Sequence, residues 1–126
     1  MSMVDSLAEQ RAAIALAMTN ALPYTVYAGP VDDPIPSCVV IENPIISPAG
    51  AGSLMQAVWT VRILTKRIDP RATSVQADND VPLAIQALTK IQNYVFLGGE
   101  PRDVTESGYM LPSYIIQGSM ALSFCS

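Results

Sequence analysis

The stretch QAVWTVRILTKR, Gln56 to Arg67, alternates along its length. Ala57, Trp59, Val61 and Ile63 fall on one side of a strand that should end near Lys66. The other side mixes Val58 and Leu64 with Thr60, Arg62 and Lys66, which is neither a plain solvated face nor a plain core face. A second alternating run, SYIIQGSMALSF, covers Ser113 to Phe124. It puts Tyr114, Ile116, Met120, Leu122 and Phe124 on one side and Ser113, Gln117, Ser119 and Ser123 on the other. Gly118 lands on the apolar side, which predicts a bulge or a close backbone approach there. Shorter strands are predicted at YTVY (Tyr24–Tyr27), CVVIEN (Cys38–Asn43) and PRDVTES (Pro101–Ser107), the last followed by a turn at Gly108.

The helical pattern occurs twice. From Val4 to Ala21, apolar residues recur at Val4, Leu7, Ile14, Met18 and Ala21. Ser6 and Glu9 have the spacing of a capping box, and Pro23 ends the segment because the residue before proline avoids helical geometry. The second helix is predicted over Val81–Phe96. Val81, Ile85, Leu88, Ile91 and Val95 make its stripe, Leu83, Ala87 and Tyr94 widen it, and Gly98-Gly99 stops it. Upstream, Asp69-Pro70 offers one helix start and Asp80 with Pro82 another, so one kinked helix and two separate pieces both fit. Asp78 and Asp80 are read as helix caps.

Two loops are rich in proline. AGPVDDPIPS precedes the Cys38 strand. PIISPAGAGS, Pro44 to Ser53, precedes the long strand at Gln56 and carries Ile45 and Ile46, which a fully solvated loop does not need. Either the two isoleucines tuck under their own domain or they pack on a neighbour. The resulting order, with two long strands whose apolar faces need cover and two helices to cover them, predicts an α+β domain. Its sheet is mostly antiparallel, with both helices packed on one face.

Composition sharpens this picture. The 126 residues fit one domain, numbered 1–126, with room for a core that needs neither disulfide nor metal. Apolar residues make up 50% and charged residues only 14%, against about a quarter charged in typical domains. A surface so poor in charge is either covered by other subunits or leaves the isolated protein poorly soluble. The formal charge of −4 argues against general nucleic-acid binding. No run approaches the roughly 18–20 apolar residues that span a bilayer, and the opening MSMVDSLAEQ has no basic n-region, so no signal peptide and no membrane contact are expected. Cys38 and Cys125 are too few for a disulfide framework and are expected to stay reduced, as in a cytoplasm.

Candidate chemistry is sparse. The chain has no histidine, which removes the commonest general base and most zinc sites. PAGAGS lacks the Lys-Ser/Thr ending of a phosphate loop. Asp32-Asp33 would need further oxygen ligands to hold a cation, and no serine lies in a nucleophile elbow. No enzyme activity, cofactor or metal is expected. What stands out is Arg62, Lys66, Arg67 and Arg71, four of the seven basic residues within ten positions. They read as a solvated strand end that blunts a sheet edge, as partners for acidic residues of a neighbouring subunit, or as the lining of a surface that meets DNA. Pairing suits the mid-strand Arg62, and solvent or channel suits Lys66 and Arg67.

Four segments together resemble the tail terminator proteins of long-tailed bacteriophages. They are the amphipathic helix ending in ALPYTVYAGPV, the span CVVIENPIISPAGAGSLMQAVWTVRILTK, the charged turn into a helix RIDPRATSVQADNDVPLAIQALTKIQ, and the closing GYMLPSYIIQGSMAL. The resemblance implies a small α+β subunit of a virion, assembled in the host cytoplasm into a hexameric ring in the tail. Such a ring caps the tail tube, stops its elongation and joins the tail to the head connector. The implied partners are other copies of the chain, the major tail tube protein and a connector or stopper protein, with DNA only in transit through the channel. Ile45, Ile46, Val58, Arg62, Leu64, Lys66 and Arg67 would then be interface or channel residues. Stopper and head-completion proteins, and a small-molecule-binding α+β dimer, are the alternatives.

Overall fold

The structure is a computed structural model that describes residues 6–31, 37–48, 55–65, 70–102, 104–106 and 109–122. Its first element, α1 (Leu7–Ala21), starts as its residues require. The Ser6 Oγ accepts from the Glu9 N–H at 3.1 Å, and the Ser6 hydroxyl donates to Glu9 Oε1 at 2.8 Å. Leu22 is extended ahead of Pro23, and its N–H closes the last turn on the Met18 carbonyl.

The strands follow as β1 (Thr25–Tyr27), β2 (Cys38–Ile41), β3 (Ile45–Pro48) and β4 (Met55–Leu64). After α2 (Pro70–Thr89) come β5 (Tyr94–Pro101), β6 (Val104–Glu106), β7 (Tyr109–Leu111) and β8 (Ser113–Leu122). The main sheet runs β1-β2-β4-β8-β5, with β3 also on β4, and β6 pairs with β7 separately. All neighbours are antiparallel except β1 and β2. The fold is therefore α+β, with a mostly antiparallel sheet.

Both helices cover the same face. Ile14 and Met18 of α1 and Ala84 and Leu88 of α2 meet Trp59, Val61, Ile116 and Met120 of the sheet, all fully buried. Burying one such large apolar side chain stabilises by about 1.5–3 kcal/mol. Gln10, which breaks the apolar pattern of α1, is also fully buried. Its Oε1 accepts from Trp59 Nε1 at 2.9 Å and its Nε2 donates to the Ala121 carbonyl at 2.9 Å. The Arg11 guanidinium lies 4.9 Å from the centre of the Trp59 ring, within cation–π range. It donates to the Ala28 carbonyl and, at 3.0 Å, to Asn43 Oδ1.

Several expectations need correction. The second helix ends at Thr89, not at Phe96, and Tyr94–Pro101 is a strand. Asn93 takes a left-handed φ of 77°, which turns the chain out of α2. Beyond it the alternation Tyr94-Val95-Phe96 suits a strand as well as a helix stripe, and pairing with β8 decides for the strand. Gly98 and Gly99 stop nothing: they sit inside β5, where the register shifts between Phe96 and Gly98. Asp78 and Asp80 are not caps, because one continuous helix starts at Pro70 and holds Pro82 inside it. Pro82 denies the Asp78 carbonyl its helical donor, while the nearly buried Asp80 accepts from the Tyr24 hydroxyl. Leu83 is 48% exposed rather than part of the packed stripe. Asp69, Val4 and Phe124 lie outside the described residues.

Gly118 is where the sequence reading places a close approach, and the approach is made by Tyr94. A Cβ on Gly118 would overlap the end of the Tyr94 ring. The ring fills the space that a side chain would otherwise take on the core face of β8.

Candidate functional site

The helix-free face of the sheet is built from the even-numbered residues of β4 and their cross-strand partners. Near its middle Thr60 stands against Gln117, and Arg62 stands between Val40 and Ile115. Toward one end, Leu64 lies between Cys38 and Ser113. Toward the other, Val58 lies between Ile45 and Ser119, and Ser119 is followed by Val95. The face thus has a polar band between two apolar ends, which accounts for the mixed pattern along Gln56–Leu64.

Leu64 is not the interface residue that its position implied. It is 1% exposed and packs with Cys38, Val40 and Tyr27 in a second small core. The isolated chain already buries it, so it has no surface left for a neighbour. Val58 stays half-buried on the open face. Lys66 and Arg67 lie outside the described residues, as does Cys125.

Arg62 pairs within its own chain. Its Nε is 3.4 Å from Glu42 Oε2, with the two side chains 20% and 36% exposed. A part-exposed pair at that distance contributes at most about 1 kcal/mol. The Nη1 atom of the same guanidinium is buried without a hydrogen-bond partner. A buried guanidinium N–H left unpaired is costly, so Arg62 holds unused donor capacity at the centre of the face.

The segment read as a loop from Pro44 contains β3, which continues β2 along β4 after a one-residue slip. Between the pairs Ile41↔Val61 and Ile45↔Val58, three residues of one strand stand opposite two of the other. Pro44 sits in this bulge, where a missing N–H costs no ladder bond. The slip puts Ile45 on the helix-free face and Ile46 on the helix side. Neither tucks under the domain: they are 65% and 41% exposed.

A further surface escaped the sequence reading. Val95, Phe96 and Leu97 of β5 are 58%, 40% and 54% exposed. The sequence pattern puts Val95 in a helix stripe, ends that helix at Phe96 and leaves Leu97 beyond it. The signal that could have identified them is a run of β-branched and aromatic residues, YVF, directly after a turn-forming asparagine. At the start of the same strand, the Tyr94 hydroxyl is buried without a partner, and desolvation raises its pKa to about 12.

A groove of about 400 Å³ between α1 and α2 is lined by Ala17, Ala21, Leu83, Ala87, Asn20 and Lys90, and gathers no nucleophile with a base. A smaller hollow of about 240 Å³ lies beside Gly98, Glu100 and Gln117. Among the described residues no three His, Cys, Asp or Glu side chains gather to hold a metal, and no helix is long and apolar enough to cross a membrane. Compared with known proteins, the chain matches no family model and no curated sequence.

Proposed function

We propose that the chain is a structural subunit of a phage tail, of the tail terminator type, which assembles into a ring on the end of the tail tube, stops its growth and meets the head connector. The observation that carries this reading is the exposed Ile45–Ile46 pair on β3. That strand has four residues, with Pro44 just before it and Pro48 at its end. Prolines at both ends oppose the addition of another strand. The isoleucines therefore offer side-chain contact, one on each side of the sheet, as a subunit wedged between neighbours requires. The low share of charged residues, 14%, fits a surface covered in an assembly. The exposed fifth of the Arg62 side chain keeps positive charge on the open face, where an acidic group of the next subunit or of the tube could meet it. In this reading the chain performs no catalysis and needs no cofactor, and DNA touches it only in passing through the ring.

The test is genetic and structural together. Loss of the gene should leave tails of uncontrolled length that do not join heads, and purified protein added to bare tail tubes should form a ring on one end in micrographs. Tails of normal length that fail only to retain DNA would instead assign the chain to the stopper class. A soluble dimer enclosing a ligand, absent from virions, would remove the reading altogether.

A further inference from the structure

The two lateral edges of the sheet are protected unequally. On one side β1 has only three residues, and β3 has four with a proline at its end and another just before it. Short strands and prolines are standard protection against unwanted strand pairing. On the other side β5 has eight residues, and among the described residues only β8 pairs with it, leaving its outer edge without a strand. From Tyr94 to Gly99 it carries no charge, and its proline comes last, at Pro101. Glu100 and Pro101 protect only its far end, and over Tyr94–Gly99 the bulge at Leu97 adds a third exposed apolar side chain beside Val95 and Phe96.

We propose that this edge is a contact between two copies of the chain, with the β5 strands of both paired antiparallel about a twofold axis near Phe96 and Leu97. The inference concerns the free chain, goes beyond the tail reading and stands without it. A second copy is the fitting occupant for three reasons. A twofold axis across a sheet edge makes the pairing antiparallel, which lets two identical strands exchange hydrogen bonds. The central segment is uncharged, so identical copies meet without like-charge repulsion, whereas an acidic or basic peptide would find no counter-charge there. The nearest charge, Glu100, is already neutralised by Arg102 of its own chain at 2.8 Å. A twofold contact closes on itself, so it sets the state of the free chain, and a polar ring on a tail would require it to open.

The experiment uses the full chain. Analytical ultracentrifugation over a concentration series is expected to show a dimer. Leu97→Lys places two ammonium groups near the axis and should weaken that dimer by roughly a hundredfold, the equivalent of about 2.7 kcal/mol. Thr25→Lys, on the edge strand β1, should leave it unchanged. Thermal melts check that each variant folds. Should Leu97→Lys fail to fold, a Leu97→Cys, Cys125→Ser chain gives an independent readout: mild oxidation with a copper–phenanthroline catalyst and dissolved oxygen should join two copies through the introduced thiols, while an Ile45→Cys, Cys125→Ser chain should stay unlinked. A monomer at all concentrations, a dimer indifferent to Leu97→Lys, or linkage through position 45 and not 97 would each overturn the proposal. None of these results bears on tail length, which tests the tail reading separately.

Discussion

Gln10→Met is the sharpest test of how the helices are tied to the sheet. The side chain is fully buried, and its hydrogen bonds include two of 2.9 Å, one from Trp59 Nε1 and one to the Ala121 carbonyl. Methionine is close in volume, so repacking should cost less than about 1.5 kcal/mol. The Ala121 carbonyl keeps a donor, because Asn93 Nδ2 also reaches it at 3.0 Å. The Trp59 N–H does not: it is left buried and unpaired, at a cost of about 1–3 kcal/mol. We expect a net loss of about 2 kcal/mol, or roughly 8 °C in Tm for a chain of this size. Urea unfolding followed by far-UV circular dichroism measures it. The control is the same change in a Trp59→Phe background. There no indole N–H exists and the glutamine oxygen is itself the orphan, so Gln10→Met should be neutral or stabilising. A coupling energy below about 0.5 kcal/mol in this cycle would refute the claim that the Gln10–Trp59 bond, rather than shape alone, fixes α1 on the sheet.

Three further outcomes are expected. Gly118→Ala should destabilise by about 1–3 kcal/mol through overlap with the Tyr94 ring, and most of that loss should vanish in a Tyr94→Leu background, as thermal melts of the four proteins would show. Raising pH should reduce stability between pH 10 and about 12: the unfolded Tyr94 loses its proton near 10, while the buried native phenol holds it to about 12, so the native state binds more protons in that window. Denaturant midpoints at stepped pH, compared with Tyr94→Phe, isolate this contribution. Replacing Ile45 and Ile46 together with serine should change Tm by only a few degrees, since both are exposed, yet should abolish length control in a tail assembly assay. A large drop in Tm would return them to the subunit's own core.

Much of this architecture was legible in the chain itself. The period of two along Ala57–Ile63 and Tyr114–Leu122, the Ser6–Glu9 cap and the stop before Pro23 are local signals, set by sterics and by hydrogen bonds over three or four residues. They suffice for the α+β class and for the buried face of the sheet. What the tertiary structure decided depends on partners far along the chain. Ile91, Tyr94 and Val95 satisfy a helical stripe, and only the β8 neighbour makes Tyr94–Pro101 a strand. Leu64 alternates with residues that face outward, yet Cys38, Val40 and Tyr27 close over it. Gln10 breaks the apolar pattern of its helix and is buried all the same, because an indole N–H and a carbonyl on two different strands satisfy it. Ile45 and Ile46 stay exposed because β3 adds at the margin of β4, where no further strand pairs with it among the described residues. Periodicity tells which side chains can share a face; which faces are then covered is settled by the sheet order, and that depends on contacts between residues tens of positions apart.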